Sequence, residues 1–394
     1  MPKIRENYEY ARVLPKEIWR FYMDYYRQVT KEGQQHESLL FDIDEPGYMA
    51  AMLKAHQLLN ITLHEPLSPK LILQLYKAAL EGVSKTNLTE LDRFDRFRSN
   101  DVSGFWLKLN TVDTDEANVS REGLRQFLEE IIANNNENHY EILSHGTDVL
   151  QDVLKRYKGA ANPKQGLEDA LDFLETTIKN TPCKFLSPRM THKEIAEKIN
   201  HYILQYEIKL KSVAGDENKI DCIINLIQKI ERLHPFIDGN CRTLVMLVLN
   251  RELIRNGFKP TMLWNPNRFD FFSTEQLRED ILKGWTQAEK YQSEVANLMP
   301  YQKLYNQVDT LYIDARKSLF HKSSIETKAR DLEKLLETLK TTAPQDSIEL
   351  IRTSMTKLKI GRGVDSTENL LKALLSDIEK MPSLTLSSHS SKLH

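Results

Sequence analysis

Cysteine is nearly missing from this chain: Cys183, Cys222 and Cys241 are the three in 394 residues. None stands in a CxxC pair, so neither a zinc site nor a disulfide framework is indicated, and the scarcity fits a reducing compartment. Charge of one sign is missing too. The formal net charge is −2, which argues against broad electrostatic capture of nucleic acid while leaving room for a local basic patch. Long apolar runs are absent. The longest, Leu244 to Leu249, is far too short to span a bilayer, and the opening MPKIRENYEYARVLPKEIW has no apolar segment of the signal-peptide kind. The expectation is a protein that is cytoplasmic where it acts. What is present is ordinary globular material, 40% hydrophobic and 28% charged, in a length that predicts two or three domains.

Glycine and proline are sparse at 14 each, and helical periodicity dominates. Helices are predicted over Pro15–Gln28, Pro46–Leu59, from Ser68 to near Gly82, and over Glu122–Asn134. Thr191 and Glu194 match a capping box that starts another, with Ile195, Ile199, Tyr202 and Tyr206 as its stripe. Lys219 to Leu233 follows with five isoleucines on one face. Helices resume past Trp285, with amphipathic stripes at Glu333–Leu339 and Leu370–Ile378. Two stretches read otherwise. SGFWLKLNTV, Ser103 to Val112, alternates as a strand does, and in Phe173–Met190 the residues Thr176, Thr177, Ile178 and Phe185 favour extended structure with a turn at Asn180–Pro182. The Ser-rich end, 382–394, predicts a frayed tail.

Chemistry concentrates in RLHPFIDGNCRT, Arg232 to Thr243, which sits between the Lys219–Leu233 helix and an apolar helix ending near Gly257. A helix N-terminus leaves backbone N–H groups free and carries partial positive charge. Gly239, Asn240 and Cys241 would point such donors into the loop, an anion site for which phosphate is the usual guest. Arg242 can grip a phosphate with two parallel hydrogen bonds. Asp238 repels bare phosphate but can hold Mg²⁺ that bridges to it. His234 can take a proton from a hydroxyl. Pro235 stiffens the turn, and Phe236 anchors it in the core. Each part alone has an ordinary reading as a cap, a turn or a solvated arginine; their order, ahead of a buried helix, points to phosphate-group transfer.

HPFIDGNCR resembles the signature of the Fic family, HPFx[D/E]GN[G/K]R, at every defined position except Cys241. Weaker similarity runs from Phe173 to Trp285. The resemblance implies an all-α fold: a helical core with a small β-hairpin flap, near Glu175–Phe185 or, as a second candidate, at the Phe105–Thr111 strand. It implies a protein adenylyltransferase that moves AMP from ATP, with Mg²⁺, to a Ser, Thr or Tyr hydroxyl of a target protein. Carried over by position, His234 is the base, Asp238 the Mg²⁺ ligand, Gly239, Asn240 and Cys241 the anion hole, and Arg242 a phosphate ligand. The expected organisation is 1–165, a mainly helical region for target recognition; 166–295, the Fic-like core; 296–381, a C-terminal helical region; and 382–394, the tail. No nucleic-acid partner and no transmembrane segment are expected, and such a chain would suit a bacterial effector acting inside a host cell.

The departures carry information. Val245 stands where adenylylating members place a second phosphate-binding arginine, which removes a charge-assisted contact worth about 1.5–3 kcal/mol. That favours a different donor: a phosphoryl, another nucleotidyl or a phosphocholine group. A catalytically inactive adaptor is the third reading, and the intact His234, Asp238, Asn240 and Arg242 oppose it. Cys241 is either a small residue of which only the N–H matters or a thiol activated at a helix N-terminus. No Glu-Gly or Glu-Asn pair carries Ser or Thr four residues ahead of its glutamate, so self-inhibition by the family's marked helix is expected to be absent. Asn267, Arg268 and Asp270 read as turn caps or as contacts to a nucleotide's base or ribose, and RFDRFR, Arg93 to Arg98, reads as a solvated helix face.

Overall fold

The computed structural model describes residues 17–23, 45–83, 95–99, 103–109, 116–136, 139–296, 308, 311, 322–340, 342, 344–357 and 365–379. Two compact units divide the chain, one built on Glu17–Lys290 and the other on Tyr291–His394. Among the described residues the fold is helical, as the sequence predicts, with one small antiparallel sheet of four strands where a β-hairpin is expected.

In the first unit, α1 (Tyr48–Ile61) and α2 (Pro69–Leu80) pack together. Ser68 caps α2 by accepting the Leu71 N–H, with Pro69 at the first position, as its sequence implies. A 3-10 turn, Glu17–Tyr22, is what is described of the predicted Pro15–Gln28 helix. Next come β1 (Gly104–Leu107), α3 (Arg121–Ala133), β2 (Glu141–Ser144), β3 (Thr147–Asp148), α4 (Val149–Gly159), α5 (Pro163–Asn180) and β4 (Cys183–Leu186). Then α6 (His192–Ser212) begins at the predicted Thr191–Glu194 capping box. It is followed by α7 (Asp216–Leu233), a π-helical turn (Arg242–Val248), α8 (Leu249–Arg255) and α9 (Thr274–Ala296).

The strand order is β1-β4-β2-β3, so β4 is central and β1 lies on an edge. Phe185 of β4 pairs with Phe105 on one side and Ile142 on the other. Its ring meets those of Phe105, Phe127, Tyr140 and Phe271, with centroids 5.1–6.0 Å apart. Full burial of such a ring contributes about 1.5–3 kcal/mol, which fastens the sheet to α3 and to the segment after α8.

Two expectations for Phe173–Met190 are corrected. Thr176, Thr177 and Ile178 are helical, because Leu171, Leu174 and Ile178 recur at helical spacing into a closed core and outweigh β-branched propensity. Thr177 turns its hydroxyl back onto the Phe173 carbonyl, 2.7 Å away. A hairpin over Glu175–Phe185 is therefore not formed: β4 is the middle strand of a sheet whose other members come from far away in sequence.

The apolar helix after the motif is buried on nearly every side, with Thr243, Leu244, Val245, Leu247, Val248 and Leu249 all inaccessible. The Leu249 N–H bonds the Leu244 carbonyl five residues back, the mark of a π turn, a form frequent at functional sites. Both α1 and α2 pack on this turn. Buried Arg251 ties α8 to the loop between them, donating to the Thr62 and Glu65 carbonyls at 2.7 and 2.6 Å. Gly257, at φ 87°, ends the helix where its sequence implies.

The second unit holds α10 (Lys322–Lys340), α11 (Pro344–Lys357) and α12 (Asp365–Glu379) around Leu332, Leu335, Leu336, Ile351, Leu371 and Leu374. Residues 382–394 lie outside the described residues. No helix among the described residues is long and apolar enough to cross a membrane.

Candidate active site

The α7 helix delivers the site. It stops at His234, which adopts the left-handed conformation (φ 48°, ψ 61°) while its N–H still bonds the Ile230 and Glu231 carbonyls. A non-glycine residue there costs about 1–2 kcal/mol, so the surroundings must hold it. They do so through Arg98, whose guanidinium donates to the carbonyls of His234 (2.7 Å), Leu233 (3.1 Å) and Pro188 (2.8 Å) and to Ser187 Oγ (2.9 Å). The Arg98 N–H adds a bond to the Pro235 carbonyl at 2.9 Å. Phe97 and Arg98 are buried and residues 95–99 are not helical, so the reading of RFDRFR as a solvated helix face holds only for the exposure of Asp95 and Arg96; Arg93 and Phe94 lie outside the described residues. The carbonyls at a helix end need partners, and a guanidinium supplies several donors with a favourable charge.

Phe236 anchors the turn as expected, stacked on Tyr76 with centroids 3.8 Å apart and tilted against Phe97 at 5.5 Å. Asn240 closes the loop on itself. Its Oδ1 accepts the Phe236 N–H and its Nδ2 donates to the Phe236 carbonyl, both at 2.9 Å. Its Nδ2 also lies 3.3 and 3.2 Å from the two ring nitrogens of His234. Gly239, at φ 75°, passes so close to Leu80 that an added Cβ would come within 2.7 Å of its side chain.

These residues border one open cleft of about 380 Å³, into which His234, Asp238, Gly239, Asn240, Cys241 and Arg242 all face. The sequence-predicted residues are thus brought together. Pro235 and Phe236 lie behind them as structural supports. Arg242 Nη2 pairs with Glu45 at 2.6 Å, its guanidinium carbon lies 4.9 Å from the Tyr48 ring centre, and its Nη1 is buried without a hydrogen-bond partner. Glu45 precedes a proline and belongs to a turn before α1, so this contact is of a different kind from the marked inhibitory helix. Val245 is buried in the π turn, and no cation takes its place from that position. Cys241 is partly exposed at the cleft.

His234 is neutral here. Burial lowers its pKa to about 3, helped by the nearby charges of Arg98 and Lys184. Phe105 of β1 packs on its ring with centroids 5.7 Å apart, so the strand at the site is the one expected as second candidate.

Two carboxylates complete the cleft. Glu231 lies in the last turn of α7, three residues before His234, and both line the cleft. Asp270 follows the Pro266–Phe269 turn. Burial raises the pKa of both. Asp270 is pushed to about 7, and its charge pushes Glu231 up further. Asp270 Oδ2 accepts from Asn118 Nδ2 at 2.8 Å, whereas Glu231 Oε2 is buried with no hydrogen-bond partner. Of the three NPNRFD candidates, Asn267 and Asp270 line the cleft, while Arg268 turns away to Asp280 at 3.0 Å. The motif reading missed Glu231, though the three-residue spacing was there to find it. Arg98, Ser103, Ser187 and Glu45 carry no comparable local signal.

Residues 165–250 match the sequence model of the Fic/DOC family. The chain is also 30% identical over 129 residues to the phosphocholine transferase AnkX of Legionella pneumophila (strain Philadelphia 1). That stretch is 31% of this chain and 13% of the relative, so the chain spans about an eighth of the length of the curated relative it matches.

Proposed function

We propose, from the match of residues 165–250 to the Fic/DOC family, that the protein is a Fic-fold transferase that moves phosphocholine from CDP-choline to a Ser, Thr or Tyr hydroxyl of a target protein. The observation that carries the donor class is the pair Glu231 and Asp270, buried in the same cleft as His234 and Arg242. A buried acid without a partner is costly and calls for an explanation. A quaternary ammonium supplies one, because it is a cation with no proton to give and suits a cleft of acids and aromatic faces such as Tyr48 and Phe105. The phosphate end of the same donor suits the Gly239–Arg242 turn and the unpartnered Arg242 Nη1. A triphosphate would meet the acidic pair as like charge. Buried Val245 and the likeness to a phosphocholine transferase support the same choice.

In this reading neutral His234 accepts the hydroxyl proton, the hydroxyl oxygen bonds to the phosphorus that carries choline, and the phosphoanhydride bond breaks to release CMP. An anionic donor beside the imidazole raises its basicity at the moment it is needed. For Mg²⁺ the cleft offers the carboxylate of Asp238, whose Oδ1 also accepts the Gly239 N–H at 2.6 Å. Among the described residues no cluster of three or more His, Cys, Asp or Glu could hold a metal alone, and Mg²⁺ is commonly bound by one or two carboxylates together with substrate phosphates. Asp238 would hold it, and its role would be to neutralise charge on the phosphates. Action as a bacterial effector inside a host cell is part of the proposal, supported by a catalytic segment set within larger helical regions.

Transfer of AMP from ATP, which the family resemblance implies, is the rival reading, and donor binding separates the two. Deprotonation of Asp270 adds negative charge to the cleft as pH rises through about 7. A cationic donor displaces a proton from these carboxyl groups, so its affinity rises with pH, by up to about tenfold per unit for one proton displaced. Calorimetric titration with CDP-choline at pH 6, 7 and 8 is expected to give a falling Kd. Glu231→Gln and Asp270→Asn are each expected to weaken binding by about tenfold and flatten this dependence. ATP binding tighter than CDP-choline, and indifferent to both substitutions, would favour AMP transfer.

A further inference from the structure

Beside the motif, a group from outside the matched family segment reaches the catalytic imidazole. Ser103 is buried just ahead of β1, with its Oγ 2.5 Å from His234 Nδ1 and 3.2 Å from the Phe236 carbonyl oxygen. A hydroxyl has one proton and two lone pairs, while a carbonyl oxygen only accepts. The contact to Phe236 therefore takes the Ser103 proton. What remains toward the imidazole is a lone pair, which Nδ1 can meet only as N–H. The ring is neutral, so its second nitrogen, Nε2, is then bare. Asn240 Nδ2 lies almost equally far from both ring nitrogens, 3.3 Å from Nδ1 and 3.2 Å from Nε2, so the Ser103 contact is the one that selects the tautomer.

Ser103 is itself held in place. Its carbonyl accepts from Ser187 N at 2.9 Å and from Ser187 Oγ at 2.7 Å. Ser187 Oγ in turn accepts from Arg98, which also grips the His234 and Leu233 carbonyls. One buried arginine thus ties the backbone of His234 to the hydroxyl that meets its ring. β1 continues from Ser103 and brings Phe105 against that ring.

We propose that Ser103 is a positioning residue that fixes His234 in its Nδ1–H tautomer and so presents a bare Nε2 as the base. This inference rests on the reading of His234 as proton acceptor, but the tautomer can be observed without any donor or target.

The test is ¹⁵N NMR of the full chain with labelled histidine, assigning His234 by its loss in His234→Asn. The wild type is expected to show a protonated Nδ1 and an unprotonated Nε2. Ser103→Ala is expected to give averaged signals from both tautomers, and Ser103→Thr, which keeps the hydroxyl, to restore the wild-type pattern. In a transfer assay, Ser103→Ala is expected to lower kcat by about tenfold or more with donor KM little changed, since a wrong tautomer disables a base without disturbing binding. A protonated Nε2 in the wild type would overturn the proposal, even if the variants failed to fold. So would a Ser103→Ala spectrum identical to wild type. Because the spectrum needs no turnover, a chain that transfers nothing can still carry the Nδ1–H tautomer, and a chain that transfers well can still refute it.

Discussion

Replacing His234 with alanine is expected to lower the rate of group transfer by about 10²–10⁴-fold while leaving donor affinity nearly unchanged. The imidazole is neutral and lines the cleft, where the proposal makes it the base, and the proposed phosphate ligands, Gly239 to Arg242, are separate groups on the turn that follows it. Its lowered pKa shapes the pH response. Because burial, Arg98 and Lys184 hold it near 3, His234 stays neutral far below the ordinary histidine range, and its protonation sets no acid limb near pH 6.5. The stability sign is the reverse of that for a histidine gaining a partner. The unfolded chain binds a proton at this position below about 6.5 and the folded chain does not, so the fold loses stability as pH falls from there toward 3. His234→Ala should therefore show a shallower loss of stability than wild type between pH 6 and 4. Steady-state kinetics with both donor and target varied, and unfolding curves at each pH, check the two parts separately. A variant that keeps most of its rate would remove His234 from the mechanism.

Arg98→Met is expected to cost about 3–5 kcal/mol of stability in the unit that carries the site. The methionine would fill much of the same space, so the loss isolates the guanidinium. Its removal leaves the Leu233, His234 and Pro188 carbonyls and the Ser187 hydroxyl without a donor they now share. Two of these carbonyls end α7, where the helix dipole also favours a cation. Arg98→Lys should recover only part of the loss, because one ammonium cannot reproduce a planar fork of donors. Denaturant unfolding of the purified chain checks this, and a loss below about 1 kcal/mol for Arg98→Met would mean the carbonyls find water or other partners.

The parts legible in sequence were those specified locally. The cap at Thr191, the stripe of α7, the turn from His234 to Arg242 and the stop at Gly257 each depend on residues within one or two turns. The strand at Ser103–Val112 was legible because alternation is equally local, and residues Gly104–Leu107 of it pair in the sheet. The flap assignment failed for a physical reason. Thr176 to Ile178 have β-branched propensity, but propensity is weak beside a continuous apolar face, and Leu171, Leu174 and Ile178 decide for helix. The environment of His234 was illegible because it is assembled from Arg98, Ser103 and Ser187, which lie 136, 131 and 47 residues away along the chain, and no local pattern marks them. Glu231 lies between these cases. Its spacing from His234 was plain, but its meaning depends on Asp270, 39 residues further on.

The measurement that tests the account most directly is intact mass after incubation with Mg²⁺ and either CDP-choline or ATP. A cell extract would supply targets, and His234→Ala would serve as control. The account predicts that this protein or a captured target gains one phosphocholine from CDP-choline, and that the gain vanishes in His234→Ala. Gain of AMP from ATP in its place would contradict the donor assigned through Glu231 and Asp270. No gain from either donor would contradict the assignment of the cleft as a transferase site.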